Sequence, residues 1–319
     1  MKRYLFLYKD CAPVYLVEVF NMKKIQNRIL LSLGLLLTLT LLQSVSGVEV
    51  IQIPAGRDNT LFESATGTLS NGIGPNIFTG LSGGIAPPQI KRGLIWFDVD
   101  VNVPPGSTIT SVTLKLSLLR TRDLSSRIVE LRRVLQDWGE GTSNSGLTGG
   151  GGAPATTGDA TWLHTFFNTA FWVNPGGDFS GTVSGSQSVD KLAGDYTWGS
   201  TAQMVADVQS WLDDPNNNFG WSLLTNESII QTARRFGSRE NATVANRPLL
   251  TIEYIKIADL DDSGFINFAD HALFANEWKA TDCEALNDWC NRADMAPVGN
   301  PDGNVDYLDL WEFVLHWLQ

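Results

Sequence analysis

The chain has 319 residues, enough for more than one domain, and a net charge of −11 at pH 7. Residues 257–319 hold thirteen acidic and two basic residues, so the negative charge is concentrated near the C-terminus. This balance argues against nucleic acid, which requires a basic groove or stripe, and we predict no nucleic-acid partner.

The first 47 residues have the layout of a secretory leader. A basic start from Met22 to Arg28 precedes an apolar run over 29–42 and then small residues up to Gly47. The apolar run is shorter than the roughly twenty residues that span a membrane, which favours a signal peptide over an anchor. We predict translation from Met22 and a secreted or cell-surface protein without a membrane span after cleavage.

Alternation of apolar and polar residues dominates 48–256. In the run Ser111–Leu118 every second side chain is apolar, which is typical of a strand with one wet face. Gly, Pro and Asn turns separate these runs. We predict a mainly β fold, an antiparallel, jelly-roll-like β-sandwich over 48–256. The other predicted strands lie near 48–53, 77–81, 95–101, 128–135, 220–224 and 250–254.

One helix and one long loop interrupt the predicted strands. Residues 201–213 place Val208 and Trp211 on one apolar stripe, and Pro215 follows the last turn. The Gly-rich stretch 141–158 has no periodicity and is predicted to be a loop. The β-sandwich is therefore expected to carry a single amphipathic helix.

Five stretches of this domain resemble the disaggregatase-related, or DNRLRE-type, β-sandwich domain. Members of that family are associated with carbohydrate binding in secreted polysaccharide-active proteins. The resemblance implies a sandwich fold with a polysaccharide ligand and names no binding residue. The stretches are Arg92–Asp98, Pro104–Leu116, Val134–Thr142, Val208–Leu224 and Arg247–Tyr254.

Sugar recognition uses flat aromatic faces together with planar polar groups. The chain has eleven Trp residues. Trp96 is out of phase with the apolar residues around it, and Trp138 falls in a predicted loop, so these two are the candidate glycan-binding platforms. The alternative for each is ordinary packing in the core. Arginine pairs at 132–133 and 234–235 could contact acidic sugars.

Catalysis is the alternative to binding. Glycosidic hydrolysis uses two carboxylates roughly 5 to 10 Å apart, and Asp98 with Asp100 or Asp137 with Glu140 offers such a pair. A Ser-His-Asp triad would depend on His164. Each residue also fits an ordinary surface or turn position, so no catalytic residue is predicted. A polysaccharide-degrading hydrolase or lyase with its site in the sandwich loops, and a structural cell-surface protein, remain the alternatives.

The stretch Asp259–Asp270 has the spacing of an EF-hand calcium loop. Oxygen side chains fall at positions 1, 3, 5, 9 and 12, with Gly264 at position 6. A hard cation needs six to eight converging oxygens, and Gly allows the sharp turn. The predicted Ca²⁺ ligands are Asp259, Asp261, Ser263, the carbonyl of Phe265, Asn267 and Asp270.

A second loop repeats the pattern downstream. Counting back from Gly303 puts Val298 at position 1. Either Asp294 supplies the first ligand across an insertion of about four residues, or the second calcium site lacks one ligand. The predicted ligands are Asp294, Asn300, Asp302, Asn304, Asp306 and Asp309.

Cys283 and Cys290 lie between the two loops, and the third cysteine, Cys11, lies in the leader. Two thiols cannot complete a structural zinc site, and an exported chain tolerates a disulfide. We therefore predict a bridge between Cys283 and Cys290.

Paired loops with Asp at position 12, each followed by a short helix that ends in Trp278 or Trp317, resemble the dockerin domain of polysaccharide-degrading assemblies. The resemblance covers 258–319 and implies a small α-helical calcium domain over 257–319. Its implied partner is a cohesin-like protein module. The protein is then a non-catalytic, carbohydrate-binding component of a polysaccharide-degrading system.

Apolar residues of the two predicted helices are too many for the helices to cover with each other, which indicates a docking patch. The patch could instead pack against the protein's own sandwich domain. Its predicted members are Leu273, Phe274, Trp278, Tyr307, Trp311, Val314, Leu315 and Leu318.

Overall fold

The computed structural model describes residues 47–83, 87–299 and 301–317. The predicted signal peptide lies outside the described residues, as do Asn300 and Leu318. Within the described ranges, no helix has both the length and the apolar character needed to cross a membrane.

The described chain is mainly β, as the alternating pattern predicts. One long helix lies between two of the strands, and two further helices follow the last strand. The strands are β1 (Val48–Pro54), β2 (Arg57–Phe62), β3 (Leu69–Ser70), β4 (Asn76–Leu81), β5 (Ile90–Trp96), β6 (Thr108–Thr121), β7 (Arg127–Arg133), β8 (Ala153–Pro154), β9 (His164–Phe166), β10 (Ala170–Phe171), β11 (Gly185–Val189), β12 (Gly194–Trp198), β13 (Trp221–Leu224), β14 (Arg234–Gly237) and β15 (Leu249–Ile255). The α-helices of nine or more residues in the described chain are α1 (Ala202–Asp213), α2 (Phe268–Asn276) and α3 (Tyr307–Leu315), and three-residue 3-10 helices lie at Pro215–Asn217, Val244–Asn246 and Ala285–Asn287.

Eleven strands form one large antiparallel sheet that curls on itself, in the order β1-β15-β6-β14-β4-β5-β13-β7-β11. Strand β12 also pairs with β6, and β2 pairs with β5. The 14-residue strand β6 therefore has three neighbours, β15, β14 and β12. Strand β15, which leads into the C-terminal segment, is held between β6 and β1.

The predicted apolar face of β6 is confirmed, but the predicted wet face is not fully exposed, since Ser117 is buried. Val112, Leu114 and Leu116 are completely buried, because the curled sheet brings its apolar faces together. The strand predicted over 95–101 is misplaced, since β5 runs from Ile90 to Trp96 and overlaps the prediction at two residues only. The chain then turns, and this leaves Val101 largely exposed.

Helix α1 covers one side of the apolar core. Its N-terminus is capped by Thr201, whose hydroxyl accepts a hydrogen bond of 3.0 Å from the backbone N–H of Met204. On the buried face, the Trp211 ring lies 4.6 Å from that of Trp221, centre to centre. The carboxylate of Asp207 is also buried and accepts a 2.8 Å hydrogen bond from Trp221 Nε1.

A second apolar cluster lies beneath the loops that connect β7 to β11. Trp138, Trp162 and Trp172 are buried there against Leu61 and Leu94. The Gly-rich stretch 141–158 contains only the two-residue strand β8, in agreement with the predicted loop. Several of the chain's tryptophans therefore fill space beneath these loops.

The C-terminal segment, residues 257–317, has a small core of its own. Ile266, Phe274, Val305 and Phe313 are buried there, and the rings of Phe274 and Phe313 stack 5.4 Å apart. A left-handed turn, Asp288–Asn291, lies between α2 and α3. The predicted boundary near residue 256 stays a prediction, although the two parts have separate apolar clusters.

Candidate functional site

Three carboxylates converge in the first predicted calcium loop. Ligand oxygens of Asp259, Asp261 and Asp270 all lie within 4.8 Å of one another. Asp259 and Asp270 are completely buried, whereas Asp261 is exposed. The oxygens of Asp259 accept backbone hydrogen bonds of 2.9 Å from Ser263 and 2.8 Å from Gly264. These bonds fix the sharp turn at position 6 around the carboxylate at position 1.

Asp270 ties the end of the loop to its start. Its Oδ1 accepts from the backbone N–H groups of Leu260 at 2.8 Å and Asp261 at 3.1 Å. Its Oδ2 accepts a 2.8 Å hydrogen bond from Asn267, the N-cap of α2. Asp270 lies in the first turn of α2, where a carboxylate is favoured. The helix therefore holds Asp270, at loop position 12, close to Asp259 at position 1.

The grouping of these acidic side chains is unfavourable without a cation. Burial raises the pKa of Asp259, and the neighbouring carboxylates of Asp270 and Asp261 raise it further. The backbone N–H groups of Gly264 and Ser263 act in the opposite direction. A bound cation would stabilise the ionised carboxylates that the loop gathers.

The chemistry of the donor set fits calcium. Ser263 Oγ lies 3.1 Å from the carbonyl oxygen of Phe265. Asn267 directs its amide N–H group to the same carbonyl at 3.0 Å, and its Oδ1 accepts a 2.9 Å hydrogen bond from the backbone of Ala269. Each of the carboxylate groups of Asp259 and Asp270 keeps at least one lone pair beyond those used by backbone N–H groups. Carboxylate, hydroxyl, amide and carbonyl oxygens suit a hard cation, and a flexible set of this size suits Ca²⁺ better than the smaller Mg²⁺.

The second loop places Asp294 where the first loop has Asp259. Asp294 Oδ2 accepts a 2.8 Å hydrogen bond from the backbone of Gly303, and Oδ1 accepts one of 3.3 Å from Asp302. The same two bonds join Asp259 to Gly264 and Ser263 in the first loop. Of the two alternatives left open by the sequence, this geometry matches the insertion, with Asp294 rather than Val298 at position 1.

Asp309 repeats the contacts of Asp270. Its Oδ1 accepts hydrogen bonds of 2.7 Å from Met295 and Ala296, and its Oδ2 accepts one of 2.7 Å from Asp306. Asp306 caps α3 as Asn267 caps α2. The two loops are thus equivalent at their first and last positions.

The middle of the second loop is more open. Asp302 and Asn304 are exposed, and the predicted ligand Asn300 lies outside the described residues. In the part of the chain that the structure describes, a group of three close carboxylates occurs in the first loop alone. The first loop is therefore the better-formed of the two candidate sites.

The linker between the two loops forms hydrogen bonds with the second loop and contains a disulfide. Cys283 and Cys290 are joined by a disulfide, the pair expected from the sequence. The backbone N–H of Cys283 donates to the carbonyl of Gly303 at 3.0 Å, and that of Val305 donates to Ala280 at 2.9 Å. These bonds attach the turn of the second loop to the linker.

The prediction of Trp138 as an exposed glycan platform is wrong. Its side chain is completely buried, and its Nε1 donates a 2.9 Å hydrogen bond to the carbonyl of Phe219. The guanidinium of Arg57 lies 4.7 Å from the ring centre and covers it. The loop after β7 folds back over the sheet and places this tryptophan in the second apolar cluster.

Trp96 is only half-buried, but it is also engaged in packing. Its Nε1 donates to the carbonyl of Asn218 at 2.9 Å, and Arg57 lies 5.0 Å from its ring centre. The neighbouring Gly56 approaches the ring so closely that a Cβ there would lie 2.5 Å from it. Trp96 therefore has little free face for a sugar ring.

Of the two carboxylate pairs considered for catalysis, Asp137 with Glu140 is held in ion pairs, whereas Asp98 lies beside Asp100, and burial and repulsion from Asp100 raise the pKa of Asp98. Asp137 contacts Arg57 at 2.8 Å, and Glu140 contacts Arg239 at 2.6 Å. His164 is buried, and its Nδ1 lies 3.0 Å from the hydroxyl of Thr161. None of these arrangements favours a catalytic role.

An acidic cluster around Glu140 was not predicted from the sequence. Burial raises the pKa of Glu240 to about 7; Arg239 offsets part of this rise, and repulsion from Glu140 adds to it. Burial also raises the pKa of the nearby Asp58, with repulsion from Glu240 as a further cause. No sequence pattern marks these residues, since loop folding brings them together from distant positions.

Replacing Glu240 by glutamine is expected to stabilise the protein at about pH 8 by about 1 kcal/mol, and to change little at about pH 5. A carboxyl group whose pKa is raised on folding gains a proton in the native state, so the wild type becomes more stable as pH falls from about 7 towards the ordinary glutamate range. Urea unfolding of both proteins at the two pH values measures this. Glu49→Gln, on the edge strand β1, controls for the lost charge, and equal effects at both pH values would contradict the assignment.

No protein-family model matches this chain, and no curated protein sequence matches it significantly.

Proposed function

We propose that the protein is a secreted, non-catalytic component of a polysaccharide-binding or polysaccharide-degrading system. A β-sandwich of carbohydrate-binding type would contact the glycan, and a dockerin-like C-terminal domain, residues 257–319, would bind two Ca²⁺ ions and dock a cohesin-like protein module. The observation that carries the proposal is the repeat of the two loops, in which Asp259 and Asp270 make the same backbone contacts as Asp294 and Asp309.

Docking is supported by the apolar side chains that surround the loops. Phe265, Phe268, Tyr307 and Trp311 are each at least 65% exposed, although all four lie in a short segment with few core residues. Exposed aromatic residues grouped in this way usually mark an interface. The sandwich does not cover them, which favours an external partner over the protein's own β domain.

The membership of this patch differs in part from the prediction. Phe274 is buried against Phe313 and belongs to the core of the segment, not to its surface. Leu318 lies outside the described residues. The patch proposed here comprises Phe265, Phe268, Leu273, Trp278, Tyr307, Leu308, Trp311, Val314 and Leu315, and we call it the docking patch.

Trp311→Ala is expected to abolish calcium-dependent capture of a partner from the cell-surface fraction while leaving thermal stability nearly unchanged. The side chain is 65% exposed, so its removal costs little in folding but removes a large contact area. Pull-down with the chain from residue 48 onward, with calcium or with EDTA, measures the effect. Phe171→Ala, an equally exposed aromatic residue on the β domain, is the matched control. Capture that survives Trp311→Ala would contradict the docking patch.

The carbohydrate-binding part of the proposal rests on the mainly β fold and the family resemblance, and the ion pairs of Asp137 and Glu140 make this pair a poor candidate for catalysis. The test is a glycan array with the chain from residue 48 onward, run beside an assay of reducing-sugar release. Binding without release is expected. Release of reducing sugar would instead favour the enzyme alternative.

A further inference from the structure

A basic cleft lies on the outer face of the large sheet, in a protein whose net charge is −11. The cleft has a volume of about 320 Å³. Its walls are formed by strands β4, β5, β6 and β14 and by the Gly-rich loop, which contributes Thr148 and Gly150. In the described part of the chain, five cationic side chains and no carboxylate line it; these are Lys91, Arg120, Arg122, Arg234 and Arg235.

The strand register places two of these charges side by side. Arg120 on β6 lies directly opposite Arg235 on β14, and Arg235 in turn lies opposite Phe78 on β4. Like charges at directly opposed positions of an antiparallel pair are destabilising. Burial lowers the pKa of Arg235, and repulsion from Arg120 lowers it further. The opposition of the two positive charges of Arg120 and Arg235 is unfavourable unless an anion neutralises them.

Lys91 brings a third charge to the same cleft. Its side chain is almost completely buried, and its ammonium lies 5.3 Å from the ring centre of Phe78. The ammonium has three protons to donate, and the hydrogen bond that the structure records goes to the carbonyl of Gly150. Burial lowers the pKa of Lys91 to about 8. A buried cation with so few acceptors has room for an anionic partner.

Several arginines of the β region have a carboxylate partner that compensates their charge. Arg92 pairs with Glu227 at 2.8 Å, and Arg234, at the base of the cleft, lies 3.6 Å from Asp123. Among the described residues, no carboxylate forms an ion pair with Lys91, Arg120, Arg122 or Arg235. The Nε of Arg235 is also buried without a hydrogen-bond partner.

We propose that this cleft binds the carboxylate or sulfate group of an acidic oligosaccharide. Arg120, Arg122 and Arg235 would contact the anion from the sheet, and Lys91 would contact it from the floor of the cleft. Exposed Gln231 and Thr148 on the rim offer hydrogen bonds to sugar hydroxyls. The anionic character of the ligand follows from the cleft, whereas its being a sugar rests on the proposed function.

Calorimetric titration of the chain from residue 48 onward tests this with three probes: short oligogalacturonate, a sulfated heparin-derived oligosaccharide and neutral cello-oligosaccharide. Binding of at least one acidic probe is expected, and it should weaken at high salt. The double variant Arg120→Gln, Arg122→Gln should reduce that affinity by roughly tenfold or more. Both side chains are exposed, so the fold should persist, and thermal unfolding checks this.

Arg132→Gln is the matched control, because Arg132 is a surface arginine outside the cleft that pairs with Glu130 at 2.8 Å. An unchanged affinity in the double variant would overturn the assignment. If inorganic sulfate displaces the oligosaccharide from the cleft at a similar concentration, the cleft binds an adventitious ion only, and the oligosaccharide assignment is overturned. Binding of the neutral probe alone would overturn the cleft assignment but leave the sugar-binding function standing. Binding of none of the three would contradict both.

Discussion

Removing calcium with EDTA is expected to unfold residues 257–317 while the β domain stays folded. The completely buried Asp259 and Asp270 lie close to Asp261, and without a cation their mutual repulsion opposes closure of the loop. Helices α2 and α3 have nine residues each, which is too short for stability in isolation. The loops and the small core around Phe274 must therefore hold them in place.

Hydrogen exchange measured by mass spectrometry on the chain from residue 48 onward locates this effect. Peptides from α2 and α3 should lose most of their protection in EDTA, whereas peptides from β5 and β6 serve as internal controls and should stay protected. Asp259→Ala should give the same regional loss in the presence of calcium. Equal protection of α2 and α3 with and without calcium would show that the segment folds without the metal.

Asp207→Ala is expected to destabilise the β domain by roughly 2–4 kcal/mol, since each buried donor left unsatisfied costs about 1–3 kcal/mol. The Asp207 carboxylate is buried and accepts hydrogen bonds of 2.8 Å from Trp221 Nε1 and 2.9 Å from Gln203 Nε2. It also accepts a hydrogen bond from the hydroxyl group of the buried Ser184. Truncation would leave these donors without an acceptor in the main apolar core, which is costly where water cannot replace it.

Urea unfolding of the wild type and the variant, followed by tryptophan fluorescence, measures this difference. Asp213→Ala is the matched control, because Asp213 ends the same helix on its exposed side and should cost less than about 0.5 kcal/mol. A similar loss in both variants would mean that α1 is sensitive to any substitution. A small loss at Asp207 would mean that the core can supply other partners for Trp221 and Ser184.

The strands were predictable from the sequence where alternation is strict. Val112, Leu114 and Leu116 alternate with polar residues, and a two-residue period is typical of a strand that buries one face. The end of β5 was missed, because Val99 and Val101 continue the period into a turn that only the folded chain defines. The apolar stripe of α1 was likewise readable in the local sequence.

The role of Trp138 was not readable, because burial of a loop residue depends on what folds over it. The sequence between β7 and β11 is rich in Gly, and nothing local indicates that it returns across the sheet to bury three tryptophans. The cationic cleft was hidden for a related reason. The opposition of Arg120 and Arg235 depends on the register of strands that are far apart in the chain.

The second predicted calcium loop could be read from the sequence only in part. Its latter half is readable from Gly303 to Asp309, but the sequence alone leaves open whether Asp294 reaches back across the extra residues. The hydrogen bonds from Asp302 and Gly303 to Asp294 match those of the first loop. Sequence spacing could not settle this, since an insertion preserves a ligand only if the added residues bulge away from the site.

The most direct test of the proposed function is a calcium titration of the chain from residue 48 onward by isothermal calorimetry, with native mass spectrometry to count the bound ions. Two bound Ca²⁺ ions are expected, with tighter binding at the loop that contains Asp259. Asp259→Asn and Asp294→Asn should each remove one ion, and Asp282→Asn, an exposed residue of the linker, should remove none. A chain that binds no calcium, or whose binding is unaffected by both loop variants, would contradict the calcium-dependent docking function.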